Sequence, residues 1–205
     1  MSDKKNSILD AAEHLFAMHG YDGSTTRMIA EHAGVNIAML SYYFGSKEQL
    51  LAAIMRRFAD DIFALLDTVD SEEALPDKRL IRWMDAYLDY VFSHHKPLII
   101  AYREFGLISA RPEIAEETYQ AVVKIQHHIS EVLDEGQARG TFRKFDNALA
   151  IITMSSTIDN LILDHKNISA AHNLESAPDD IYPESFKKRV KTHMNDLIQQ
   201  LILAN

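Results

Sequence analysis

The stretch "VNIAMLSYYFGSKEQLL", Val35 to Leu51, decides how this chain is read. It opens as a short helix, carries Tyr42 and Tyr43 side by side, breaks at Gly45 and restarts at Ser46. Neighbouring residues on a helix of 3.6 residues per turn point in different directions. One tyrosine can therefore be buried while the other faces outward. Asn36 is a good N-cap residue. Val35, Leu40 and Phe44 can face supporting helices, which leaves Ile37, Ala38, Met39, Ser41 and Tyr42 on or near the outer face. No Lys or Arg lies between Val35 and Ser46. An outer face of Ile, Ala and Met gains nothing from water, but it suits base edges and thymine methyls in a major groove.

Working outward, a helix is expected from Lys4 to His19, with Ile8, Ala11, Ala12, Leu15 and Phe16 as its apolar stripe. Gly20 ends it. Ser24, Thr25 and Thr26 supply capping hydroxyls for a second helix. That helix turns Ile29, Ala30 and Ala33 inward and stops at Gly34. Two short helices joined at Gly34 and backed by a third are the signature of a helix-turn-helix. Asn36 to Phe44 is then the recognition helix. Ser46 and Gln49 stand in capping-box spacing at the start of a long fourth helix. Tyr42 and Tyr43 fall where a phosphate strand would cross, and a phenolic O–H donates to phosphate without carrying charge. Tyr43 serves equally well as core filler. The fourth helix offers free N–H groups and Lys47 as an anion site, and Thr25, Thr26 and Arg27 offer another. So few cations predict a modest salt dependence.

The whole chain reads all-α. Its 205 residues include only seven Gly and five Pro, and apolar residues recur at helical spacing. A net charge of −9 argues against a general polyanion binder. That charge falls entirely beyond residue 57, because the first 57 residues hold six basic and six acidic side chains. Absence of Cys rules out disulfides and thiolate metal sites. With no signal-peptide pattern and no membrane-length apolar run, the expected address is the cytoplasm, with no membrane partner.

Beyond an acidic linker at 70–78, five further helices are expected, about nine in all. They run roughly over 79–94, 97–109, 112–139, 146–165 and 183–203, with 166–185 as the longest loop. The helix over 146–165 is apolar nearly all round, and the last helix is broadly apolar. Ile151, Ile158, Val190, Met194, Leu197 and Leu201 are the candidates for an isologous dimer interface; a monomer's interior is the competing reading. Met84, Tyr87, Tyr102, Phe105, Gln126 and Met154 are candidates for a mostly apolar effector pocket, although any one of them fits ordinary core. Arg103 and Glu104 form a charged helical turn or line that pocket. His94-His95 and His127-His128 lack metal-ligand spacing, so no metal or cofactor is expected. Ser155, Ser156, Asp164 and His165 come without a nucleophile elbow, and no enzyme is expected.

Thr25 to Ile54 resembles the DNA-binding domain of the TetR family of transcriptional repressors. The shared elements are Phe16 to Tyr21 (Phe-x-x-x-Gly-Tyr), Thr25-Thr26, Ile29 to Val35 (Ile-Ala-x-x-Ala-Gly-Val) and Tyr42 to Glu48. The resemblance covers about 50 residues. It implies a helix-turn-helix domain over 1–50 and a helical effector-binding and dimerisation domain over 51–205. It also implies a four-helix dimer interface made by the last two helices. DNA contacts carry over to Thr25, Thr26, Arg27, Asn36, Ile37, Ala38, Met39, Ser41, Tyr42, Tyr43 and Lys47. Many members have Lys or Arg near Ile37, Gly near Ala38 and Tyr at Ser41, so the operator sequence here is its own. The partners implied are an operator duplex, a small-molecule effector and a second copy of the chain. The expected role is repression relieved by a small, fairly hydrophobic ligand. An activator of the same fold, or a helical carrier or enzyme with a vestigial helix-turn-helix, are the alternatives.

Overall fold

Each short helix near the N-terminus begins on a side chain that accepts from its own first turn. In this computed structural model, which describes residues 2–72, 75–104, 112–177 and 180–201, Thr25 Oγ1 accepts from Met28 N at 3.2 Å. Asn36 Oδ1 accepts from Ala38 N at 2.9 Å, and Ser46 Oγ from Gln49 N at 3.2 Å. These bonds satisfy donors that a helix leaves orphaned at its start. They set the starts of α2 (Thr26–His32), α3 (Ile37–Phe44) and α4 (Lys47–Glu72).

Ahead of them runs α1 (Ser2–Gly23), interrupted at Gly20, where the backbone leaves helical geometry at φ 78° and ψ 168°. A side chain at that φ is strained, so Gly20 is what lets the chain turn toward α2. α6 (Lys96–Arg103) packs on α1. Together with the first half of α4 and the beginning of α7 (Pro112–Ala138), these helices form one compact unit, residues 1–60 and 96–121. Its core is apolar throughout: Ile8, Ala12, Phe16, Ile29, Leu40, Leu50, Leu51, Ile54 and Ile100 are essentially excluded from water.

The second unit comprises residues 61–95 and 122–205. It contains the rest of α4 and α7, with α5 (Pro76–Ser93), α8 (Asn147–Leu163), α9 (His165–His172) and α10 (Glu184–Leu201). α5 is strongly amphipathic: Leu80, Trp83, Met84, Leu88, Val91 and Phe92 are buried along one side, and the helix packs on α10 and α8. Tyr182 is fully buried and donates to Leu161 O at 2.7 Å. Burial, aided by Asp164, pushes its phenol up to about 12.

Ten helices are therefore present among the described residues, one more than the sequence pattern gives. The addition is α9, which occupies the first part of the expected long loop. Helix formers in "NISAAH" extend it until Asn173, which closes it in the left-handed region at φ 51°. Gly136 falls near the end of α7. It lies inside the helix, and a β-carbon there would fall 2.0 Å from the ring of buried Phe142. Gly140, with φ 74°, makes the turn that follows.

Candidate nucleic-acid interface

α3 is held from behind by Leu40, which is 1 % exposed in the core of the first unit, with Val35, Met39, Tyr43 and Phe44 packed around it. The opposite side is open: Asn36, Ile37, Ala38, Ser41 and Tyr42 are exposed, Ile37 at 47 % and Tyr42 at 76 %. The adjacent tyrosines have divided their roles. Tyr43 is half-buried, and its ring meets Tyr42 edge-on at 5.2 Å between centroids, which braces the exposed ring. Met39 is half-buried against the core, so it presents an edge outward where its neighbours present whole side chains. At the start of α2, Thr25 and Arg27 are exposed and Thr26 is half-buried.

Lys47 is placed differently from a free phosphate ligand. Its ammonium donates to Tyr21 O at 2.9 Å and to Ser24 O at 3.1 Å and lies 4.0 Å from the centroid of the Tyr21 ring. The same turn is held from the other side. Tyr21 N donates to Glu104 Oε1 at 2.8 Å, Arg103 Nη1 donates to Ala17 O at 2.8 Å, and Ser24 Oγ donates to Gly20 O at 2.8 Å. Lys47 and Glu104 thus grip one residue, Tyr21, by its carbonyl and its N–H, which fixes the turn that presents Thr25 and α2. Arg103 and Glu104 are therefore a charged helical turn with a specific job. Arg57 adds a further tie from α4 to α1, at 2.7 Å to Asp10 and 2.6 Å to Glu13. Its guanidinium pKa, lowered by burial, is raised overall by these two carboxylates. Single residues gave no signal of this grip; the Phe-x-x-x-Gly-Tyr spacing around Gly20 marked only where the turn falls.

The six candidate pocket residues differ in their surroundings. Met84 and Met154 are buried core side chains. Tyr87 stacks on Trp83 at 5.1 Å and 7°. Tyr102 and Gln126 are exposed, and Phe105 lies outside the described residues. The second unit does hold a narrow cleft, lined by Leu66, Val69, Asp70, Arg79, Leu80, Trp83, His128, Ile129 and Val132. Of the dimer candidates, Ile158, Val190 and Met194 are buried within the single chain, Ile151 and Leu197 are half-buried, and the side chain of Leu201 lies outside those described. α8 also exposes the large apolar side chains Leu149, Ile152 and Leu163, at 62 %, 54 % and 42 %. Among the described residues no three His, Asp or Glu gather as a metal cluster would require, and no helix is long and apolar enough to cross a membrane.

A compact three-helix head with an exposed, capped recognition helix, followed by a larger helical unit, defines a helix-turn-helix DNA-binding regulator. Residues 8–54 match the model of bacterial regulatory proteins of the tetR family, and residues 73–162 match the tetracyclin repressor-like C-terminal domain. This chain belongs to the TetR family of transcriptional regulators. It is 27 % identical over 145 residues to the HTH-type transcriptional repressor KstR2 of Mycobacterium tuberculosis (strain ATCC 25618 / H37Rv), covering 70 % of this chain and 71 % of that protein. It is 45 % identical over 60 residues to the regulator RutR of Escherichia coli (strain K12), 29 % of this chain and 28 % of that one. The solved KstR2 structure superposes with a TM-score of 0.78 at 20 % identity, covering 98 % of this chain and 95 % of that one. The structure of AibR in complex with isovaleryl coenzyme A and operator DNA gives 0.75 at 20 % identity, covering 95 % and 97 %.

Proposed function

We propose that this regulator is a homodimeric, effector-released repressor acting in the cytoplasm on a pseudo-palindromic operator. The observation that carries the reading is the exposed face of α3: large, uncharged and apolar, yet rigidly backed by Leu40 and capped by Asn36. Such a face has no reason to be kept in water. In a major groove Ile37, Ala38 and the edge of Met39 meet thymine methyls, and Ser41 and Tyr42 meet base edges or phosphate. Thr25, Thr26 and Arg27 hold phosphate at the start of α2. Asn36 caps α3 beside the DNA, and Tyr43 supports Tyr42. Lys47 contributes its charge through the turn it clamps.

Dimerisation uses α8 and α10, with Leu149, Ile152 and Leu163 as the apolar contribution of α8. These residues are one helical face and remain uncovered in the single chain. The effector is a small, fairly hydrophobic molecule taken up in the second unit. That AibR was solved with isovaleryl coenzyme A and operator DNA supports the pairing of ligand and DNA on this fold. Release requires only that the effector bind more tightly to a DNA-incompetent state. α4 and α7 each run from one unit into the other and are continuous covalent routes between them.

Selection of bound sequences from a randomised duplex pool, at about 100 mM salt with ligand-free protein, tests this reading. An enriched inverted repeat with half-sites about one helical turn apart is expected. Enrichment of a single half-site would remove the dimer; no enrichment would remove the DNA-reading assignment of α3.

A further inference from the structure

The cleft in the second unit is walled by Leu66 and Val69 of α4, Leu80 and Trp83 of α5, and Ile129 and Val132 of α7. Charged groups also line it, and they are mutually paired. Arg79 bonds Asp70 at 2.9 Å and Glu135 at 2.8 Å. His128 Nε2 lies 2.9 Å from the other oxygen of Asp70, and Arg139 bonds Glu135 at 2.7 Å. One polar group remains over. Trp83 is 9 % exposed, and its indole N–H is buried without an acceptor among the described residues. Tyr87 covers one face of the indole by stacking, so the ring is held in place. A buried donor left unpaired costs about 1–3 kcal/mol, and a packed interior seldom keeps one.

Resting on the effector-responsive reading above, we propose that this cleft takes a neutral, mostly apolar effector whose carbonyl oxygen accepts from Trp83 Nε1. The charge balance selects the class. Every ionic group at the cleft already has its counterion. A carboxylate would have to lose its water beside Asp70 and Glu135, and an ammonium would bring donors to a site that lacks an acceptor. A neutral acceptor on an apolar body matches both the indole N–H and the walls. Only about 10 Å³ of the cleft is accessible to the centre of a water molecule, room for one water. Entry therefore parts the Arg79 latch, which crosses α4, α5 and α7. Arg79 is only 17 % exposed, so parting the latch has a cost that effector binding must offset.

Trp83 is the chain's single tryptophan, and so its own reporter. Full-length protein is titrated with nonan-2-one, nonanoate and nonylamine, following tryptophan emission. A saturable change is expected with the ketone, with the two charged analogues at least about tenfold weaker. By calorimetry, Trp83→Phe should weaken ketone binding about tenfold, the loss of one buried hydrogen bond. Arg79→Gln, which loosens the latch and keeps the indole, should bind the ketone at least as well as the unaltered chain. This second variant keeps the test decisive should Trp83→Phe fold poorly.

Equal binding of ketone and nonanoate, no saturable change, or Arg79→Gln failing to bind the ketone would overturn the assignment. So would a folded Trp83→Phe variant binding normally, which would leave the indole to a single buried water. Failure of the broader reading looks different. If other compounds release the operator without touching Trp83 emission, effector control stands and this cleft falls. If the ketone binds as described and operator affinity never changes, the cleft stands and effector control falls.

Discussion

Tyr42 and Lys47 show how two residues with the same apparent purpose differ once placed. Tyr42 leaves 76 % of its surface in water and touches mainly the edge of Tyr43. Tyr42→Phe should therefore leave the melting temperature within about 1 °C. It should weaken binding about 3- to 10-fold, the worth of one phosphate hydrogen bond. The loss should be equal on operator and unrelated duplex, because phosphate contacts position rather than specify. A loss confined to the operator, in parallel fluorescence-anisotropy titrations, would move Tyr42 to a base contact. Lys47 instead donates to two carbonyls of the α1–α2 turn. Lys47→Met keeps an unbranched apolar side chain of similar reach but takes the ammonium from the Tyr21 ring and leaves Tyr21 O and Ser24 O without their charged donor. About 1–3 kcal/mol of stability should be lost, seen as a lower urea midpoint with unchanged slope. DNA affinity should fall along with it. A variant with normal stability and weakened DNA binding would show that the lysine acts on phosphate directly.

At the scale of helices, most of the fold was legible and the reasons are local. Thr25, Asn36 and Ser46 are caps because their own side chains reach their own helix starts, and that information lies within three residues. The α3 faces follow from spacing alone, which is why Leu40 is buried and Ile37 exposed. What spacing does not hold is which helix faces which. Met84 and Tyr102 are equally plausible pocket residues in sequence, yet one is core and the other exposed. The cleft comes from Leu66, Trp83 and Ile129, which only the packing of α4, α5 and α7 brings together. The dimer candidates divide for a related reason: Ile158, Val190 and Met194 sit where the chain buries its own core, while Ile151 and Leu197 keep part of their surface. Gly136 belongs to this non-local class too. Its role is set by Phe142, six residues away, whose ring atoms stand 2.0–2.6 Å from where a β-carbon would be. Gly136→Ala gains helix propensity, worth about 1 kcal/mol, but forces Phe142 from its buried site. Overpacking costs about 1–3 kcal/mol, and here the displaced ring adds to it. The net expectation is a lower melting temperature, whereas the same change at an open helical glycine would raise it.

For the whole molecule the decisive quantity is what the single chain leaves uncovered. Leu149, Ile152 and Leu163 recur along α8 with Ser156 and Asn160 between them, and all five are exposed. Burying a side chain of this kind is worth about 1.5–3 kcal/mol, so three from each of two copies make a stable association plausible in size, before the cost of association. Since a two-fold interface uses every contact twice, one charge is felt twice. Ile152→Asp should therefore convert the proposed dimer to monomer in sedimentation equilibrium at micromolar concentration, while helicity and melting cooperativity persist, because Ile152 is more than half exposed in the single chain. DNA binding then reports the same event independently. A dimer on an inverted repeat gathers phosphate contacts from two heads, and the slope of log affinity against log salt scales with their number. The Ile152→Asp chain should bind with about half that slope and lose discrimination between a full site and a half-site. Were it to stay dimeric with an unchanged slope, the face of α8 would be excluded as the interface, and α10, whose exposed positions such as Lys188, Thr192 and Gln199 are polar, would have to form a wetter contact between copies on its own.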